Sequence, residues 1–192
     1  MTLNRREFIK WMSAGAGVAA VAGCAATGGG ASAGRVVVIG AGFGGATAAK
    51  YIRMWAPDIE VTLVERNSEF VSCPISNLVL GGSKTLADIT VGYGGLGKYG
   101  VKMMRDEAIA VDPVKREVRL ASGTTLVYDR LIVSPGIDFG YEKIPALNTA
   151  PAQERILHAW KAGAQTVALR KQLEAMPDGG VYALCVTRAP YR

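Results

Sequence analysis

Histidine is all but missing from this 192-residue chain, and His158 is the only imidazole on offer as a general base. Cysteine is nearly as scarce. Cys24, Cys73 and Cys185 lie too far apart for a CxxC metal or redox pair, so no metal site is expected and each thiol is judged alone. There is no run of 18 or more strongly apolar residues, which excludes a membrane-spanning helix. Nor is charge of one sign gathered into a stripe. The formal net charge is +6, of which Arg5, Arg6 and Lys10 against Glu7 place +2 in the first 34 residues, and the remaining Lys and Arg are scattered. The electrostatic footprint of a nucleic-acid binder is therefore lacking. What is left, 49% hydrophobic and 20% charged, is the composition of a soluble globular protein. Its 158 residues beyond position 34 suffice for one ordinary domain and not for two.

Those first 34 residues read as an address. Asn4-Arg5-Arg6-Glu7-Phe8-Ile9-Lys10 sets two adjacent arginines ahead of a weakly apolar stretch, Trp11 to Ala26, the pattern of a bacterial twin-arginine export signal. A plain amphipathic helix is a poor alternative, because Gly15, Gly17 and Gly23 disfavour it. Cleavage is expected after Ala31-Ser32-Ala33, an A-x-A site directly before the first strand of the domain. Val21-Ala22-Gly23-Cys24 also resembles a lipobox, which would leave Cys24 as a lipidated N-terminus; the A-x-A site is preferred.

The chemistry begins at Arg35. Arg35-Val-Val-Val-Ile39 is a short β-branched run of the kind buried in parallel sheets, and Gly40-Ala41-Gly42-Phe43-Gly44-Gly45 follows at once. In a Gly-rich dinucleotide turn, Gly40 permits the tight bend and Gly42 lets backbone N–H groups approach a pyrophosphate. Gly45 lets the next helix pack closely on the strand. That helix, through Ala46, Ala49 and Ile52, is stopped by Pro57, and its free N-terminal N–H groups and dipole face the diphosphate. A second strand, Ile59 to Val64, ends in Glu65, twenty residues past Gly45 and placed to accept hydrogen bonds from a ribose. A GxGxxG alone is weak evidence; strand, turn, helix, strand and acid in this order form a specific signature. Gly92-Tyr-Gly94-Gly-Leu-Gly97 fits the same string without a following long helix, so it reads as a loop or irregular turn.

Further along, Glu117–Ala121 and Thr124–Tyr128 alternate around Ser122-Gly123, which predicts a β-hairpin, and Leu131-Ile-Val-Ser-Pro-Gly136 reads as another buried strand ending in glycine. The expected fold class is α/β: a Rossmann-like dinucleotide-binding domain over 35–150, the FAD-binding domain by the resemblance given below, behind a signal peptide over 1–34. Residues 151–192 are expected to form a linker helix, Gln165 to Met176, and the first strand of a truncated second domain, Val181 to Val186 with Cys185 as buried filler. His158 precedes that helix and is read as structural rather than as a base.

Four segments carry a resemblance that runs from the twin arginines to the last residue. They are Ala46-Thr-Ala-Ala-Lys-Tyr-Ile52, Phe70-Val-Ser-Cys73-Pro-Ile-Ser-Asn77, Tyr128-Asp-Arg-Leu-Ile-Val-Ser-Pro-Gly-Ile-Asp138, and His158-Ala-Trp-Lys-Ala-Gly163 with Gln165-Thr166. With these the chain resembles the flavoprotein subunits of flavocytochrome c sulfide dehydrogenases, relatives of the sulfide:quinone oxidoreductases. The resemblance implies FAD as cofactor, with Gly136 in a short ATG-like motif approaching the flavin nucleotide. It also implies that Cys73 is joined through sulfur to the flavin 8α-methyl. Read from position alone, Cys73 is as well explained as a small buried core cysteine.

The same resemblance implies a periplasmic enzyme in which hydrosulfide opens a disulfide, a cysteine thiolate attacks the flavin and the electrons pass to a c-type cytochrome subunit. No NAD(P)H site is expected, since Thr187 to Arg192 stands where a second Gly-rich turn would follow the strand. The redox cysteines of these enzymes fall beyond Arg192, so no catalytic residue is expected within these 192 residues and the chain by itself is expected to be inactive. The alternatives are a sulfide:quinone oxidoreductase-like enzyme at the membrane and a non-catalytic FAD-binding remnant.

Overall fold

A computed structural model describes residues 33–185. The twin-arginine motif, Cys24 and residues 186–192 lie outside the described residues.

The chain runs β1 (Gly34–Ile39), α1 (Phe43–Trp55), β2 (Ile59–Val64), β3 (Glu69–Val71), α2 (Asn77–Leu80), β4 (Thr90–Gly92), α3 (Gly94–Gly97) and β5 (Lys102–Met104). It continues through β6 (Ala108–Asp112), β7 (Glu117–Leu120), β8 (Thr125–Val127), β9 (Arg130–Val133), α4 (Ala150–Arg155) and α5 (Ala164–Ala175). Four strands form a parallel sheet in the order β5-β2-β1-β9, with Val36 opposite both Val61 and Arg130 across the ladders. The first connection is the expected βαβ unit. Ala56 closes α1 by donating its N–H to the Ile52 carbonyl, and Pro57 follows where the helix can no longer continue.

The apolar run of β1 is unbroken because both faces of the sheet are covered. Val36 and Val38 point one way, into a core with Ala49 of α1, Val61, Leu63 and Val101. Val37 points the other way, into a second core with Val64, Val118, Leu120 and Tyr128. The second core lies under a three-stranded antiparallel sheet, β6-β7-β8, which crosses between β5 and β9 and holds the expected hairpin as β7 and β8. Its third strand, β6, is not legible in the sequence, since Ala-Ile-Ala-Val-Asp is short and weakly patterned. The fully buried Leu63 and Leu120, one in each core, each contribute about 2 kcal/mol of transfer free energy.

β3 and β4 pair antiparallel as a separate ribbon, and the second GxGxxG resolves into the end of β4 and the single helical turn of α3. α5 packs on α2, with Arg170 Nη1 donating to the Leu80 carbonyl at 3.0 Å. The expectation of a buried strand at Val181–Val186 is corrected. As far as Cys185 this stretch has no regular structure and is exposed, because among the described residues no strand lies beside it to take its hydrogen bonds. Among the described residues no helix is long and apolar enough to cross a membrane.

Candidate functional site

The carboxyl ends of β1, β2 and β9 come together at one edge of the parallel sheet, the place where open α/β sheets bind ligands. Loops leaving them enclose a cleft of about 860 Å³, lined by Gly40, Gly42, Glu65, Cys73 and Gly136 among others. Five of the six residues singled out from sequence thus share one cavity. The sixth, Gly45, stands just behind it.

The turn after β1 is fixed by its neighbours. Gly40 donates its N–H to the Val64 carbonyl, and Ser134 donates to the Ile39 carbonyl, both at 2.8 Å, which ties the turn to β2 and β9. Gly40 has φ +90°, and a Cβ there would lie 2.1 Å from the Ser134 carbonyl oxygen, so no other residue fits. A Cβ at Gly45 would lie 1.8 Å from the Gly40 carbonyl oxygen, and this glycine is what lets α1 approach β1. At Gly42 the nearest neighbour of a Cβ would be the Phe70 ring at 3.7 Å, an ordinary contact. The fold itself does not demand glycine at 42. Gly42 caps α1 with no side-chain bond to the first turn, and no acidic residue sits there. The N–H groups and positive dipole end of this 13-residue helix are therefore offered to an anion.

Glu65, half-buried at the end of β2, is held at both oxygens. Oε2 accepts from the Ala41 N–H at 2.9 Å, and Oε1 accepts from the N–H and the Nδ2 of Asn67 at 2.8 and 2.7 Å. Gly136, φ +78°, turns the chain back along the cleft after β9.

Cys73 sits between β3 and α2 in a bend stitched to the domain: Ser72 N–H donates to the Ile89 carbonyl at 2.9 Å and Ser76 Oγ to the Cys73 carbonyl at 2.8 Å. Both serines are buried, and the thiol between them is exposed to the cleft, where Sγ donates to the Trp160 carbonyl. The core-cysteine alternative is excluded by this placement.

Several lining residues were not singled out as site residues from sequence. Trp160, Lys161 and Ala162 arrive from the segment before α5. Lys161 Nζ pairs with Asp138 Oδ1 at 3.0 Å, and Arg66 bridges Asp138 Oδ2 at 3.7 Å and Glu107 Oε1 at 3.3 Å, forming a charged rim. Lys161 and the Phe139 N–H hold the Asp138 carboxyl below the usual carboxylate range. Tyr93, between the cleft and a neighbouring cavity of about 920 Å³, has its phenol pushed up to about 12 by burial and by the charge of Glu65. Asp138, Trp160, Lys161 and Ala162 fall within segments that carry the resemblance, and Arg66 and Asn67 directly follow Glu65; these positions are the signal they carried.

His158 lies behind the lining, stacked on Phe139 with ring centroids 4.2 Å apart, and its buried Nδ1 has no hydrogen-bond partner. Burial, then Lys161, push its pKa below 6.5 against the pull of Asp138. Among the described residues no group of His, Cys, Asp and Glu is arranged to hold a metal ion.

A 45-residue stretch of the chain, 23% of its length, is 62% identical to the sulfide dehydrogenase flavoprotein chain of Chlorobaculum thiosulfatiphilum, covering 94% of that relative. The structure of the sulfide:quinone oxidoreductase of Aquifex aeolicus superposes with a TM-score of 0.60 at 27% identity, over 73% of this chain and 31% of that one. A water-forming NADH oxidase from Lactobacillus brevis, bound to NADH, gives 0.60 at 28% identity, over 74% of this chain and 32% of that one. The chain thus spans about a third of the length of these two solved relatives. Residues 34–173, the whole βαβ unit, the meander and the helices after it, match the model of the pyridine nucleotide-disulphide oxidoreductases, and the chain belongs to that family of FAD-dependent oxidoreductases.

Proposed function

We propose that the chain is the FAD-holding part of a periplasmic sulfide dehydrogenase, which oxidises sulfide and passes the electrons to a c-type cytochrome subunit, and that Cys73 binds the cofactor covalently. The observation that carries this reading is the convergence of an exposed thiol with the Gly40–Gly42 turn, Glu65 and Gly136 on one cleft. The turn and the N-terminus of α1 would hold the diphosphate, Glu65 the ribose, and Cys73 the isoalloxazine end. When bound, FAD supplies acceptance of an electron pair and onward delivery of single electrons. The residues of this chain hold it in place, and a thioether to Cys73 would prevent its loss after export. Chlorobaculum's sulfide dehydrogenase flavoprotein supports sulfide as the substrate and a cytochrome as the partner.

One experiment tests the reading. The protein is expressed with FAD, denatured in acid and digested; the peptide containing Cys73 should keep yellow colour and the mass of a flavin adduct, and Cys73→Ser should convert the flavin to a form that acid releases. Complete release from the wild-type chain would overturn covalent attachment. NADH should leave the bound flavin oxidised, and rapid bleaching by NADH would overturn the exclusion of a nicotinamide substrate.

A further inference from the structure

Glu65 can serve a ribose only if its carboxylate is held still. The side chain leaves the end of β2 on three rotatable bonds, and an untethered glutamate at that exposed edge would sample several rotamers and spend ligand affinity on being ordered. The structure shows what restrains it. Asn67, two residues on in the bend between β2 and β3, donates twice to Oε1, from its main-chain N–H at 2.8 Å and from Nδ2 at 2.7 Å. Both lone pairs of Oε1 are then occupied, and Oε2, which takes the Ala41 N–H at 2.9 Å, keeps the one remaining site for a hydroxyl.

We infer that Asn67 is a positioning residue for ribose recognition: it fixes Glu65 so that Oε2 meets a ribose hydroxyl of the adenosine half of the cofactor. This rests on the dinucleotide reading of the cleft and adds to it the residue that orders the carboxylate. The chemistry suits asparagine. Its amide gives a donor without charge, whereas aspartate there would set a second carboxylate against Glu65. Asn67 is exposed, so exchanging it removes nothing from either core. Each bond it makes is to an ionised acceptor, the class whose loss costs most among hydrogen bonds.

The test is titration calorimetry with ADP and with 2′,3′-dideoxy-ADP on the full chain in a Cys73→Ser background freed of flavin, called wild type below for its Asn67, so that no covalent cofactor fills the cleft. Wild type should prefer ADP. Asn67→Ala, which keeps the main-chain donor, should weaken ADP about tenfold, the scale of one charge-assisted hydrogen bond, and leave dideoxy-ADP unchanged. Asn67→Asp should weaken ADP further, and thermal melting should show both variants folded. Equal loss for both nucleotides in Asn67→Ala, or no loss for ADP, would overturn the positioning role while leaving the cleft's assignment intact. If wild type binds both nucleotides equally, Glu65 does not read the ribose and the role of Asn67 falls with it. If wild type binds neither, the dinucleotide reading fails as well.

Discussion

At the scale of single residues, sequence was informative where a requirement is local. Gly40 and Gly45 are forced by contacts with the adjoining strand and with each other, and such needs leave a spacing that can be read. Cys73 was different: core packing and cleft exposure are equally compatible with its neighbours in sequence, and the choice is made by Trp160, 87 residues away. His158 shows the same limit, since its environment is built by Phe139, Lys161 and Asp138. Its chemistry nevertheless yields a signed expectation. Burial holds the folded pKa below 6.5, so as pH falls through that value the unfolded chain takes up a proton that the folded chain resists. Stability from this group is complete above pH 6.5 and declines towards the lowered folded pKa. Between about pH 7.5 and about pH 5.5 the urea midpoint of the wild type should fall more than that of His158→Phe, which keeps a ring on Phe139. Identical declines would contradict a buried neutral imidazole.

At the scale of elements, β1, α1, β2 and β7 follow from patterning, because each buries an apolar face or run; β8, β9 and α5 were expected too, but β9 is half-buried rather than buried, with Val133 exposed, and the one buried residue of α5 is Thr166. The short pieces do not follow from patterning. β4, β5 and β6 have three, three and five residues and exist because a neighbouring strand completes their hydrogen bonds, which no local pattern records. The Gly-rich turn separates two purposes within one motif, and a pair of substitutions tells them apart. Gly45→Ala puts a Cβ 1.8 Å from the Gly40 carbonyl oxygen, so α1 must move off β1, with an expected loss of about 1–3 kcal/mol of stability as for other overpacked sites. Gly42→Ala meets only the Phe70 ring at 3.7 Å, so stability should stay within about 0.5 kcal/mol of wild type while FAD uptake weakens. Chemical denaturation paired with a flavin-binding titration measures both. A Gly42→Ala variant that binds FAD as wild type does would show that the turn is structural throughout.

At the scale of the whole molecule, the cleft is closed by parts far apart in the chain: the loops of the βαβ unit, the bend at Cys73, the return after β9, and the segment from Trp160 to Ala162. A cavity assembled this way exists only in a folded chain, and a cofactor held in it must be inserted where FAD is available. That bears on export. The twin-arginine pathway, which the pattern at Asn4 to Lys10 is proposed to address, carries folded cargo, and on that proposal FAD would be loaded before the protein leaves the cytoplasm. Recognition of the signal depends on the guanidinium pair rather than on charge, since planar arginine forks make bonds that an ammonium does not. Replacing Arg5 and Arg6 by lysine should therefore leave the precursor folded and yellow in the cytoplasm, with the periplasmic fraction losing the flavoprotein. Fractionation of cells with flavin fluorescence reads the outcome. Undiminished periplasmic delivery of the Arg5→Lys, Arg6→Lys variant would overturn the twin-arginine assignment, and colourless precursor in the cytoplasm would overturn loading before export.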